Sequence, residues 1–238
     1  MADSNTGPKQ MLISYPIINY VMRYVLLIQL IFIVSSVAQA QGVRFTVIAD
    51  PQIAWFRPET RNAESAGVRG GIDIGFEMDN FFSSNYAFST GLSLNTTGGK
   101  LRFSEPVPIR FSEFTDTIAP GNVVTYRLQY VNMPIGLKFI TREIGYTTIF
   151  ARIGMGGHFL LRSRADVPSR GIEKENIPDE TDIFNFSYHF GAGIHYSLGG
   201  QTAIVAGLEY RHRFIDIASG PEYKALLNTF SLRTGLLF

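Results

Sequence analysis

This 238-residue sequence contains four histidines, His158, His189, His195 and His212, and histidine is the residue type most often used as a metal ligand or general base. We predict that His158 and His189 lie on neighbouring strands and point to the same side, which would permit a metal site or a general base. We favour a hydrogen-bonded pair with a structural role, because no Ser–His–Asp or His–Asp arrangement accompanies them. The sequence therefore predicts no catalytic residue, no metal site and no cofactor.

Seven charged residues share the inward parity of their predicted strands: Asp73, Arg152, Glu209, Arg233, Arg69, Glu77 and Arg211. The first four lie at similar depth. Because buried charges are costly unless they are paired, two acids and two bases at one level predict a mutual ion-pair network. The other three extend this network above and below. Its expected role is structural, and a gated channel that uses the same residues is the alternative.

Composition excludes several classes of protein. The chain has no cysteine, which excludes disulfides and thiol catalysis. The formal net charge of +1 provides no basic field for nucleic acid. Charged residues make up 17% of the chain, against about 25% in typical soluble domains, so little of the surface is expected to face water.

Large apolar residues alternate with small or polar residues along most of the chain. In "FNFSYHFGAGIHYSL", at 184–198, large residues occupy every second position and Asn, Ser, His and Gly stand between them. A period of two marks a β-strand with two different environments. The residues predicted to face lipid here are Phe186, Tyr188, Phe190 and Ile194. Because the other face is small rather than densely charged, it is expected to line a narrow lumen.

Eight such strands are predicted, at 43–56, 66–79, 86–97, 123–140, 147–162, 183–198, 202–214 and 227–238. Short connections alternate strictly with long ones, the long ones being 57–65, 98–122, 163–182 and 215–226. Outer-membrane barrels have this arrangement, with short periplasmic turns and long outer loops. The sequence therefore predicts an all-β, eight-stranded, antiparallel, transmembrane up-and-down β-barrel. Its last strand, which has an outward apolar stripe, should pair with the first and leave no edge in lipid.

Pro134 lies within the fourth predicted strand. The apolar set changes parity around it, from Tyr126, Leu128 and Tyr130 to Ile135, Leu137 and Phe139. Proline cannot donate a ladder hydrogen bond, so a β-bulge is expected at this position.

The first forty residues are interpreted as a separate segment. Arg23 precedes an apolar core at 24–34, and Ala38 and Ala40 frame a cleavage site, which together indicate a secretory signal peptide. The alternatives are a buried strand and an N-terminal anchor. The domain prediction is 1–40 as N-terminal extension and signal peptide, with translation starting at Met1 or Met22, and 41–238 as the barrel.

Three features resemble a known family. They are "LQYVNMPIGLKF" at 128–139, the following "ARIGMGGHF" at 151–159, and a terminal strand that ends in Phe238. Together they are similar to the PorT-like outer-membrane β-barrel family of Gram-negative bacteria. The resemblance implies an outer-membrane barrel, and for PorT itself a part in type IX secretion. Phe238 also resembles the signal that the outer-membrane assembly machinery reads.

The function expected from these features is a non-enzymatic one. We predict a small outer-membrane barrel with a structural or loop-mediated binding role, whose lumen is closed by side chains. The first alternative is an accessory subunit of a secretion or assembly complex, and the second is an enzyme with its active site at the rim. Expected partners are outer-membrane lipid and the assembly machinery, with an envelope protein complex as a further candidate and no nucleic acid.

Overall fold

A computed structural model describes residues 42–177, 181–214, 218–220 and 223–238. The predicted signal peptide and its cleavage site lie outside the described residues. The strands within them are, in chain order, β1 (Val43–Pro58), β2 (Ala63–Gly67), β3 (Arg69–Ser83), β4 (Tyr86–Phe103), β5 (Val107–Arg110), β6 (Thr115–Ile118), β7 (Val123–Ile140), β8 (Thr147–Val167), β9 (Ile172–Asn176), β10 (Phe184–Gly199), β11 (Thr202–Arg213), β12 (Ala218–Gly220) and β13 (Tyr223–Leu237). In this part of the chain no helix is long and apolar enough to cross a membrane.

The eight long strands form a closed antiparallel barrel in the order β1-β3-β4-β7-β8-β10-β11-β13, and β13 pairs with β1. The closing pairs run from Thr46–Leu237 to Pro58–Ala225. Near the start of β1 and the end of β13, the backbones of Phe45 and Phe238 exchange hydrogen bonds of 3.2 and 2.8 Å. The predicted eight-stranded barrel is therefore confirmed, with its last strand paired to its first.

The two ends of the barrel differ. Short turns join β3 to β4, β7 to β8 and β10 to β11 at one end, called here the short-turn end. At the other, the long-loop end, the connections carry the five short strands and a 3₁₀ turn at Pro168–Arg170. The β5–β6 hairpin folds back over the barrel, since its Val107, Ile109 and Ile118 are buried.

In the half of the barrel nearer the short-turn end, apolar side chains point outward. Phe186, Phe190 and Ile194 on β10 are exposed, whereas Ser187 and His189, which lie between Phe186 and Phe190, are buried. An outward apolar face and an inward polar face are what a membrane-spanning strand requires.

In the half nearer the long-loop end this polarity is reversed. Large apolar side chains fill the interior there, and they include Phe56, Leu101, Phe103, Tyr126, Leu128, Tyr130 and Tyr223, packed with the β5–β6 hairpin. Rings meet edge to face, with centroids 5.4 Å apart for Phe56 and Tyr126. We call this cluster the upper core. Strands that extend beyond the bilayer meet water on the outside, so their apolar side chains belong inside.

The reversal corrects the interpretation of Pro134. β7 keeps one parity throughout, and Tyr126, Leu128 and Tyr130 point inward into the upper core rather than outward. The register of β7 with β4 is the same on both sides of Pro134, from Asn132–Ser93 to Ile135–Thr90, so the predicted bulge is wrong. The apolar residues change sides because the environment changes along the strand.

A register shift does occur nearby, on β8 instead of β7. Gln129 pairs with Arg162 and Tyr130 with Leu160, so Leu161 is the extra residue. The long connections are also shorter than predicted, because β4 continues to Phe103, β8 to Val167, and β13 already begins at Tyr223. The upper core explains these extensions, since each added segment places apolar side chains inside it.

Candidate functional site

A cluster of ion pairs fills the middle of the lumen below the upper core. Glu209 on β11 contacts three guanidinium groups, at 3.4 Å for Arg152 Nε, 2.9 Å for Arg211 Nη2 and 3.0 Å for Arg233 Nη1. Glu77 on β3 accepts from Arg152 Nη1 at 2.8 Å and from Arg233 Nη2 at 2.5 Å. Arg152 and Arg233, which belong to β8 and β13, thus bridge the two carboxylates, and Arg211 contacts Glu209 from the same strand.

Two aspartates complete the cluster. Asp73 accepts from Arg211 Nη1 and from Asn132 Nδ2, both at 3.0 Å. Asp50 accepts from the backbone N–H of Thr234 at 2.7 Å and lies 3.7 Å from Arg233 Nη1. We call Asp50, Asp73, Glu77, Arg152, Glu209, Arg211 and Arg233 the central charge cluster. It contains six of the seven residues that the sequence placed in a network.

Arg69 is the seventh, and its predicted place in the network is wrong. It lies four residues from Asp73 along β3, which corresponds to roughly 13 Å towards the long-loop end. There its Nη1 donates to the carbonyl of Thr97 at 2.5 Å. Its inward parity was predicted correctly from the sequence, but the depth of the charged layer was not.

Further polar contacts lie below and above the central charge cluster. On the short-turn side, Lys138 Nζ contacts Asp79 at 2.7 Å and lies over the ring of Phe150. On the long-loop side, Arg213 Nη2 donates to Asn95 at 3.4 Å and the guanidinium lies over Tyr130.

The buried charges of the described lumen balance. The acids are Asp50, Asp73, Glu77, Asp79 and Glu209, and the bases are Lys138, Arg152, Arg211, Arg213 and Arg233. All of them except Arg213 form ion pairs with one another, and this attraction offsets much of the cost of removing the charges from water.

A hydrogen-bonded chain leads from this cluster to a serine. His158 Nδ1 donates to Asn132 Oδ1 at 2.5 Å, and Ser187 Oγ donates to His158 Nε2 at 2.7 Å. Asn132 in turn donates to Asp73. The order of serine, histidine and amide matches that of a nucleophile, a base and an orienting group. However, Ser187 is 0% and His158 1% exposed, so no substrate reaches them in this arrangement.

The predicted hydrogen-bonded pair of His158 and His189 is wrong, because both ring nitrogens of His158 contact Asn132 and Ser187 and His189 contacts an arginine instead. His189 lies 3.4 Å from Arg152 Nη2, and His195 stacks on Phe150 with ring centroids 4.7 Å apart. His212 contacts Asn228 and packs against Tyr188. Within the described residues no group of three or more His, Cys, Asp or Glu side chains is placed to hold a metal ion. The lumen is thus built from hydrogen bonds and ion pairs.

Several residues of the lumen were missed by the sequence reasoning: Asp50, Asn132, Lys138, Asp79 and Ser187. All five have the inward parity of their strands, and this parity is the one sequence signal that could have placed them in the lumen. Their partners depend on the register between strands, such as the pairing of Asn132 with His158 across β7 and β8, and no spacing in the chain encodes that register.

A family model described as outer membrane protein beta-barrel domain matches residues 38–219. The chain belongs to this family, and the protein is located in the outer membrane. The long-loop end is then the extracellular end, and the short turns face the periplasm.

Solved structures of small outer-membrane barrels are similar to the chain. Neisserial surface protein A (NspA) is 12% identical, with a TM-score of 0.46, over 83% of this chain and 98% of NspA. OprG from Pseudomonas aeruginosa is 7% identical, with a TM-score of 0.46, over 83% of this chain and 95% of OprG. Ail of Yersinia pestis, in complex with a heparin analogue, is 11% identical, with a TM-score of 0.41, over 83% of this chain and all of that protein (100%). No curated protein matches the chain.

Proposed function

We propose that this protein is a sealed envelope barrel that acts through its extracellular surface and conducts no bulk solute. The observation that carries the proposal is the upper core. It closes the interior with packed side chains such as Phe103 and Tyr223, whose rings lie 4.8 Å apart. The central charge cluster forms a second layer below it. An eight-stranded barrel has an interior just wide enough to be filled in this way.

The outer surface above the upper core supports a binding role. The β5–β6 hairpin is anchored from two sides, by the Ser112 N–H to the Asn176 carbonyl at 2.9 Å and by Arg170 to Asp116 at 3.2 Å. Its tip carries Phe114, which is 43% exposed. A fixed hairpin with an exposed aromatic side chain is suited to contact another macromolecule, because little ordering is needed on binding.

Two measurements test this proposal. In planar bilayers the wild-type protein should give no steady large conductance, and such a conductance would contradict the sealed lumen. A photo-crosslinking amino acid at Phe114 should capture envelope or surface components in intact cells. The same group at Glu143, in the exposed turn between β7 and β8, is the control for crosslinking that does not depend on the extracellular surface.

An accessory role in a secretion or assembly complex is the second candidate, and the likeness to the PorT-like family supports it. The segment that carries the likeness is β7, where Tyr130 and Asn132 line the lumen and Ile135 and Leu137 face lipid. Copurification of a secretion complex after mild detergent extraction would favour this role over an independent barrel. In either case, recognition of Phe238 by the assembly machinery stays a prediction, tested by the amount of Phe238→Ala that reaches the membrane.

We also propose that the protein is not an enzyme. The burial of Ser187 and His158 supports this, because a serine nucleophile must meet its substrate. A rim-active enzyme would need a second constellation near the loops.

A further inference from the structure

The outer face of the barrel carries a group of basic side chains on β4, β7 and β8. They are Lys100, Arg127, Arg162 and Arg164, which all point away from the interior. Arg127 and Arg164 are directly paired across β7 and β8, and Arg162 lies opposite the neighbouring outward residue, Gln129. We call these four residues the basic patch.

The chain itself neutralises only part of this charge. Asp166 contacts Arg127 Nε at 2.5 Å and also accepts from the Lys174 N–H at 2.7 Å. Arg164 donates to the neutral amide of Asn176 at 3.2 Å. Like charges directly opposite each other in a sheet destabilise it. The pairing of Arg127 with Arg164 therefore favours the binding of an anion next to these two side chains.

The patch lies at the border of the apolar band. Next below it on the outer face are Val131 on β7 and Phe159 and Leu161 on β8, the latter two exposed. By contrast, the outward side chains of β10 and β11, both fully described, include no Asp, Glu, Lys or Arg. The four side chains of the basic patch thus lie on neighbouring strands, next to the upper border of the apolar band.

An apolar groove continues from this border on the same strands. It has a volume of about 650 Å³ and is lined by residues that include Met133, Ile135, Met155, Gly157 and Phe186. Gly157 is the outward-facing residue of β8 between Met155 and Phe159, and its missing side chain opens the groove between Met133 and Phe186, its two cross-strand partners. Met133 lies four residues, roughly 13 Å, below Gln129 and so below the patch.

We infer that this face binds one lipid of the outer leaflet that carries phosphate in its headgroup, with the phosphate on the basic patch and an acyl chain in the groove. Arginine guanidinium groups recognise phosphate oxygens through paired hydrogen bonds. Arg162 and Arg164 are the principal phosphate-binding residues, because Arg127 is already paired with Asp166.

The test uses the purified full chain in a non-ionic detergent and measures binding by native mass spectrometry. The probes are lipid A, which has two phosphates and several acyl chains, the same lipid without phosphates, and its deacylated phosphorylated sugar. Wild-type protein should prefer lipid A to both of the others. The preference for lipid A over the same lipid without phosphates should fall as the salt concentration is raised, and this measurement needs no variant.

The variant Arg162→Gln/Arg164→Gln should weaken lipid A binding by about 10- to 30-fold, from the loss of two charges near the membrane surface. The matched control, Arg57→Gln/Arg61→Gln, removes two exposed arginines near β1, across the barrel, and should change binding less than about threefold. Gly157→Leu should weaken lipid A binding without affecting the phosphorylated sugar. A Cβ at Gly157 meets only Phe184 ring atoms, at 3.6 Å, so this variant should keep its fold.

Equal binding of lipid A with and without phosphates would overturn the inference. So would equal binding of lipid A and the deacylated sugar, which would indicate a site for soluble anions instead. An Arg162→Gln/Arg164→Gln variant that binds like the control would also overturn it. None of these results depends on whether the lumen is sealed.

Discussion

The guanidinium of Arg213 lies 4.6 Å from the ring centroid of Tyr130, at the level where the interior of the barrel changes from charged to apolar. Tyr130 belongs to the upper core, and Arg213 donates towards Asn95 above the central charge cluster. A cation over an aromatic face joins the two layers without leaving the charge against an aliphatic surface.

The reversal of polarity on β7 can be tested by cysteine labelling, because the natural chain has no cysteine. Gln129→Cys should react in intact cells with a thiol reagent that does not cross membranes, and Tyr130→Cys should be protected, since Tyr130 is 0% exposed. Ile135→Cys, on the outward parity but within the apolar band, should be protected by lipid. Labelling of Tyr130→Cys with protection of Gln129→Cys would contradict the assigned parity.

Arg233 should be the most costly residue of the central charge cluster to replace. Arg233→Met leaves Glu77 and Glu209 with one guanidinium contact fewer each, and breaking a buried pair costs about 3–5 kcal/mol in the free energy of unfolding. Urea titration in lipid vesicles measures this change.

The control Arg57→Met removes an exposed arginine and should cost less than about 1 kcal/mol. The double variant Glu77→Gln/Arg233→Met should be less destabilised than the sum of the single variants, because it removes both partners of one contact. Strict additivity would show that Glu77 and Arg233 do not interact.

An arginine on the lipid face should destabilise the barrel according to its depth. Phe190 is 51% exposed at mid-strand on β10, so Phe190→Arg should lower the free energy of unfolding by about 2–4 kcal/mol. Leu198→Arg has the same parity on the same strand but lies near the periplasmic turn, where the expected cost is about 0–1 kcal/mol. Equal effects of the two substitutions would argue against a bilayer around Phe190.

Truncation in the upper core should act as it does in a water-soluble protein. Phe103→Ala removes a fully buried ring and should cost about 3–5 kcal/mol, measured in the same unfolding assay. Phe76→Ala, on the lipid-facing side of β3, is the control and should cost less, since no cavity is created inside the protein. A smaller loss for Phe103→Ala than for Phe76→Ala would mean that the upper core is not packed.

Ser187 should not react with a fluorophosphonate probe in the folded protein, because the hydroxyl is buried and donates to His158. Ser187→Ala leaves the His158 Nε2 without this donor and should cost about 1–3 kcal/mol of stability. Probe labelling of the wild type that disappears in Ser187→Ala would overturn the non-enzymatic proposal and identify Ser187 as a nucleophile.

The sequence predicted the architecture because alternation is a local property. The eight strands, their short turns and the inward parity of Asp73, Arg152, Glu209 and Arg233 follow from a period of two that each segment shows independently. The error at Pro134 has a physical origin. The alternation rule assumes one environment along a strand, but β7 passes from lipid into water, so its apolar side chains change sides there.

The contacts of the lumen could not be predicted in the same way. Arg69 and Arg211 have equivalent parity, yet only Arg211 reaches Asp73. Arg69 lies four residues away on the same strand, whereas Arg211 comes from β11, and its depth relative to Asp73 is set by the stagger between the strands. The chain from Ser187 through His158 to Asn132 likewise requires the register of three strands.

The partners in the central charge cluster are far apart along the chain, as Glu77 and Arg233 are separated by 156 residues. They come from β1, β3, β8, β11 and β13, so the β11–β13 hairpin can pair Glu209 with Arg211 and Arg233 but cannot supply partners for Asp50, Asp73 and Glu77. In a sheet that has not yet closed, the contacts of these three acids with Arg233, Arg211 and Arg152 are missing. A register slip of two residues at any seam would keep the alternation intact but separate acids from bases. The cluster thus makes barrel closure an all-or-none event, in which only the complete sheet in the correct stagger reaches the native energy minimum.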